Sequence, residues 1–152
     1  MCLDVFADRL NELIAEAGIA VSELPNLLGV DRKSVRLWRS GKNFPNYKHL
    51  ITLMEYFHVR ADYLLGLEDS LEEVAAENIV KDWARIQSAF SLKVKAYMEK
   101  EHLTIYAIAK RVHIDQKAFK RFLVAGSMPE TTTLIRIAQL MGVSVHDLLG
   151  SK

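Results

Sequence analysis

Val30–Pro45, VDRKSVRLWRSGKNFP, is the stretch around which the rest of the chain is read. Asp31 is a good helix N-cap residue, and a helix entered there turns about 100° per residue. With Arg32 at zero, Arg39, Arg32, Arg36 and Lys33 fall between about −20° and 100°. Val35, Trp38 and Ser34 fall between about 200° and 300°. One face is therefore an apolar anchor, and the other is a comb of three arginines and one lysine. Gly41 suits the left-handed residue that ends a helix. Lys42 and Asn43 follow in a loop, and Pro45 bars further helix. A short helix anchored on one side and cationic on the other has the dimensions to lie in a DNA major groove. A charged helix face is most often only solvated surface, so the remaining sequence must decide between the two.

The 152 residues are enough for one domain or two small ones. Half are hydrophobic and 26% are charged, as in an ordinary globular protein. The formal net charge of +1 hides a segregation. Asp31 to Lys48 carries six basic residues against one acidic, Asp69 to Ser88 five acidic against two basic, and Ala89 onward ten basic against five acidic. A basic patch on a near-neutral chain points to an anionic partner better than bulk charge does. Cys2 has no internal disulfide partner, which fits a reducing cytoplasm. The opening MCLDVFADRL has two aspartates and no long apolar run, unlike a secretory signal, and no stretch is apolar enough to predict a membrane span.

Apolar residues recur at spacings of three and four, which predicts an all-α fold. Phe6, Leu10, Leu13 and Ile14 mark a first helix ending before Gly18, and Ser22 to Leu28 a short second one. Asp31 to Ser40 is the third, a fourth begins near Asn46, and a short fifth closes at Gly66. The pattern then returns 84 residues later without a gap. Phe6 meets Phe90, Asp31 meets Asp115, Lys33 meets Lys117, Pro45 meets Pro129, Leu50–Ile51 meet Leu134–Ile135, and Leu64–Leu65–Gly66 meet Leu148–Leu149–Gly150. Trp38 is answered by Phe122 and Gly29 by His113. The matches fall at core and turn positions, which predicts two five-helix domains, residues 1–68 and 89–152.

Between them, residues 69–88 read as an acidic helical linker. Ser70 and Glu73 have the spacing of a capping box. Leu71, Val74, Ala75, Ile79, Trp83 and Ile86 keep helical spacing into Phe90. This stripe, Trp83 included, is expected to pack either on a neighbouring domain or on the same stripe of a second chain.

Leu24, Leu28, Gly29–Val30, Val35, Trp38, Gly41, Pro45, Leu50, Val59 and Leu64–Leu65–Gly66 together carry a resemblance. Each unit resembles the five-helix helix-turn-helix domain of phage repressors, the Cro-like or XRE family. The resemblance implies DNA binding by the third helix of the unit. Carried onto this sequence, it makes Arg32, Lys33 and Arg36 the base-reading candidates, and Arg39, Lys42, Asn43, Asn46 and Tyr47 the phosphate candidates. Such domains usually act as dimers on half-sites about one helical turn apart. The first unit departs from the family where the second helix begins, with Ala20 and Val21 in place of polar residues and Pro25 in place of alanine. In the second unit Gln116, Lys117 and Lys120 form a second candidate DNA face. Ile105, Tyr106, Leu123 and Val124 put apolar groups where a DNA reader is normally wet, which predicts a protein-contacting surface and an assembly role.

Other chemistry finds little support. The five histidines lack metal-ligand spacing, and there is no glycine-rich phosphate loop or Gly-x-Ser-x-Gly elbow. Glu72, Glu73 and Glu77 read as a solvated helix face, and His146–Asp147 as the first turn of a helix capped by Ser144. No catalytic residue, metal or cofactor is expected. The expectation is a cytoplasmic, sequence-specific transcriptional repressor acting on double-stranded DNA as a homodimer, with a protein partner held through the second unit. The rival is a protein-interaction module of helix-turn-helix fold, antitoxin-like or an adaptor, in which DNA binding is weak or absent.

Overall fold

The computed structural model describes residues 2–124 and 126–151. The chain divides into two compact units, Met1–Ile79 and Val80–Lys152. Among the described residues the regular structure is helical, with one isolated antiparallel bridge between Val59 and Glu73. No helix there is long and apolar enough to cross a membrane.

The first unit has five α-helices: α1 (Cys2–Glu16), α2 (Leu24–Leu28), α3 (Arg32–Arg39), α4 (Tyr47–Phe57) and α5 (Ala61–Leu64). Phe6, Leu10, Leu24, Leu50, Leu53, Met54 and Leu64 are fully buried, drawn from four of the five helices. α1 packs on α3 and α5, while α2 packs on α3 and α4. Burying this shared apolar stripe is what holds helices too short to be stable alone. Pro25 shapes the second helix. It has no N–H to donate and sits in the first turn of α2, so the chain enters through a separate 3-10 turn, Val21–Glu23, that no side chain caps.

The second unit contains α6 (Trp83–Lys100), α7 (Ile105–Arg111), α8 (Gln116–Val124), α9 (Thr131–Met141) and α10 (Val145–Leu148). Its core is Ile86, Phe90, Val94, Ile108, Phe119, Leu134, Ile137, Val145 and Leu148. α9 and α10 begin and end 84 residues after α4 and α5. The left-handed turns keep the same spacing. Gly18 pairs with His102, Gly29 with His113, His58 with Gly142 and Gly66 with Gly150, all with φ between 54° and 80°. Histidine tolerates this region better than most residues with a Cβ, so the turns persist where glycine is absent. α7 is a full helix capped by Thr104, whose oxygen accepts the Ala107 N–H at 3.1 Å; Ala109 stands where the first unit has Pro25.

The helical linker is only partly observed. Trp83–Ser88 is helical and continuous with Phe90, capped by Asp82. From Asp69 to Asp82 the chain is not α-helical, with a 3-10 turn at Ala76–Asn78, and the Ser70–Glu73 capping box does not form. Tertiary contacts override the helical spacing here. Val74 and Ile79 are buried at 5% and 4% exposure, and the Val74 N–H donates to the His58 carbonyl at 2.9 Å. Arg9 pairs with Asp69 at 3.1 Å and donates to the carbonyls of Tyr63 and, at 2.7 Å, Glu68. Most of the linker therefore lies on the first unit as a strap. Leu71 stays 54% exposed, so it does not join a buried stripe.

Candidate nucleic-acid interface

α3 is held at both ends by its own sequence. The Asp31 carboxylate accepts the Ser34 N–H at 2.7 Å, and hydrogen bonds from Ser34, side chain and backbone, hold that carboxyl below its usual range. At the other end Gly41 takes φ 71°. Its N–H donates to the Trp38 carbonyl at 3.2 Å, and the Lys42 N–H donates to Leu37 at 3.0 Å, the paired bonds of a Schellman turn. Val35 and Trp38, each 2% exposed, anchor the inner face. The His49 ring of α4 lies 5.5 Å from the Trp38 ring, which ties the start of α4 to the middle of α3.

On this rigid mount Arg32, Lys33 and Arg36 are exposed together, with Lys42 and Asn43 exposed in the loop that follows. Beside them a cleft of about 260 Å³ runs between α3 and the 3-10 turn. It is lined by Arg32, Arg36 and Arg39 together with Val21, Ser22, Pro25 and Val35. The arrangement offers guanidinium and ammonium donors on a convex helix, which suits phosphate oxygens and the acceptor edge of guanine.

Three phosphate candidates are placed differently from expectation. Arg39 turns inward: its Nε donates to Asn11 Oδ1 at 2.8 Å while Asn11 Nδ2 donates to the Arg39 carbonyl at 3.1 Å. Tyr47 is a core residue at 9% exposure, because the first turn of α4 packs into the unit. Asn46 caps α4, its side-chain oxygen accepting the His49 N–H at 2.9 Å. Asn11 and His49 are positioning residues that the sequence reading did not single out. Their partners lie 28 and 11 positions away, beyond any local pattern.

In the second unit Gln116, Lys117 and Lys120 are exposed on α8 as expected. The apolar surface is smaller than expected. Leu123 is buried at 8%, Ile105 and Trp83 are half-buried, and only Tyr106 and Val124, at 59% and 68%, stand out of the five. Leu123 is buried because its angle, about 340° with Gln116 at zero, lies beside the inward stripe of Phe119 and Phe122. Its carbonyl accepts the Ser91 hydroxyl of α6 at 3.0 Å. Among the described residues no cluster of three or more His, Cys, Asp or Glu could hold a metal ion.

Comparison with known proteins gives one informative likeness. No protein-family description matches the chain, and no solved structure matches it. The chain is 30% identical over 73 residues to the HTH-type transcriptional activator BcrR of Enterococcus faecalis. The matched stretch is 48% of this chain and spans 36% of that protein's length.

Proposed function

We propose that the chain is a DNA-binding transcription regulator whose α3 enters the major groove. The observation that carries this is the exposed set Arg32, Lys33 and Arg36 on a helix fixed by a cap, a Schellman turn and a buried Trp38. Arg32 and Arg36 suit guanine O6 and N7, and Lys42 and Asn43 suit the flanking phosphates. The likeness to an HTH-type transcriptional activator supports a regulator, and the resemblance to phage repressors supports a helix-turn-helix docking mode. In that mode two copies of the chain read half-sites about one helical turn apart. The resemblance favours repression, and a promoter–reporter fusion carrying the selected site distinguishes repression from activation.

The test is selection of binding sites from random duplex DNA with the full chain. An enriched inverted repeat is expected. Two unlike half-motifs at fixed spacing would replace the symmetric dimer with one chain on a compound site. No enrichment at low salt would favour the protein-interaction module, which draws its support from exposed Leu92, Tyr106 and Val124 in the second unit.

A further inference from the structure

We infer that the cleft between α3 and the Val21–Glu23 turn binds a small amphipathic carboxylate, an anion with a compact apolar body, whose occupation competes with DNA for Arg32 and Arg36. The inference rests on the DNA-binding reading of α3 and adds a regulator of that same face. The cleft, of about 260 Å³, lies just under the roughly 300–1,000 Å³ of drug-sized ligand sites. On α3 its lining crosses the boundary between the apolar and the cationic side of the helix. With Arg32 at zero, Val35 stands at about 300°, Arg39 at about 340° and Arg36 at about 40°. The turn and the start of α2 add Val21, Ser22 and Pro25. Val35 and Pro25 are buried, Val21 is 37% exposed, and no acidic residue lines the cleft.

The sequence sets these groups together in the first unit alone. Eighty-four residues on, the three arginines are answered by Gln116, Lys120 and Leu123, and Pro25 by Ala109, in a unit whose α7 is a full helix capped by Thr104. Arg39 is fixed before any ligand arrives, since its Nε donates to Asn11 Oδ1 at 2.8 Å, and a group already ordered costs less to bind. Planar guanidinium forks pair with a carboxylate through parallel N–H bonds. Val21, Pro25 and Val35 suit the body that carries it. A strongly hydrated inorganic anion would lose water against that hydrocarbon without full replacement of its hydrogen bonds. A neutral hydrocarbon would leave the guanidinium groups without a partner. An anion with an apolar body matches both halves of the lining. Because it engages Arg32 and Arg36, ligand and duplex weaken each other's binding by the same factor.

The test titrates the full chain, free of DNA, with 2-naphthoate at constant ionic strength and follows backbone amide shifts by NMR. Acetate supplies the charge without the body, 2-naphthylmethanol the body without the charge, and inorganic phosphate a hydrated anion. Saturable shifts centred on Val21, Ser22, Val35 and Arg36 are expected for naphthoate, with a Kd on the order of 1 mM or tighter, and weaker responses to acetate and to the alcohol. Val21→Gln, at an exposed position, is expected to weaken naphthoate binding roughly three- to tenfold. Fluorescence anisotropy of a labelled duplex then reads the competition, with about 5 mM naphthoate expected to lower DNA affinity roughly fivefold. No saturable shift, or shifts centred elsewhere in the chain, overturns the site. Equal shifts from phosphate overturn the ligand class and make the cleft a seat for DNA phosphate. Naphthoate bound in the cleft of a chain whose DNA affinity does not change overturns the competition. Naphthoate bound there by a chain that binds no duplex at low salt leaves the site standing and overturns the DNA reading of α3.

Discussion

Arg39 and Leu123 stand 84 residues apart, at the same place in their units, and both point inward. The first unit fills the position with a hydrogen-bonded guanidinium on Asn11, and the second fills it with a hydrocarbon. Reading the pair from sequence alone puts both on the surface, because helix angle places them at the edge of the buried stripe. Arg39→Ala is predicted to cost about 1 kcal/mol of stability, seen as a lower urea midpoint, with little change in base preference. Leu123→Ala is predicted to cost about 2–5 kcal/mol, against about 0.5 for a surface position, in the same melt. Asp31 gives a pH signature. Its carboxyl is held below the ordinary range by the Ser34 bonds, so its contribution is full above the unfolded-chain pKa and is lost as pH falls through the folded one. Asp31→Asn keeps a capping side chain and is predicted to flatten that part of the acid limb in urea melts across pH, whereas Asp31→Ala also lowers stability at neutral pH.

Turns and straps show where local pattern decides an element and where it does not. The turns at Gly18, Gly29, Gly41 and Gly66 were legible from the glycines themselves, and His113 was legible through its match to Gly29. His58 and His102, with φ of 54° and 55°, were not singled out, although the same spacing matches them to Gly142 and Gly18. Gly29→Ala meets open space and is predicted to cost about 1–2 kcal/mol from the left-handed backbone alone. Gly66→Ala is predicted to cost more, because its Cβ would also lie 2.9 Å from Val5. Equilibrium denaturation of the two variants checks both the sign and the order. Residues 69–82 carry helical spacing, yet extended backbone buries Val74 and Ile79 and meets His58. Periodicity reports which residues want burial, and it does not report which distant surface will bury them. The covered Val59, 1% exposed, contrasts with Val143 at 37% in the matching turn of the second unit.

For the whole molecule, the all-α character and the helix order could be read from spacing, caps and glycines, because these are local. The cationic set Arg32, Lys33 and Arg36 was equally legible, since exposure on a helix follows from the burial of Val35 and Trp38 opposite. Tyr47 misled because an aromatic at a helix start can face either solvent or core, and here the core wins. The outer faces of α3 and α8 give each of the two units an exposed set of cationic side chains. The central claim is that α3 reads bases rather than merely carrying charge. The measurement that tests it most directly is site selection from random duplex DNA, run in parallel with the wild-type chain and with Arg36→Ala. The account predicts an enriched motif for the wild type, and for Arg36→Ala the same motif with one position relaxed and affinity lower by about 1–3 kcal/mol. An identical motif at unchanged affinity, or no motif from the wild type, would contradict it.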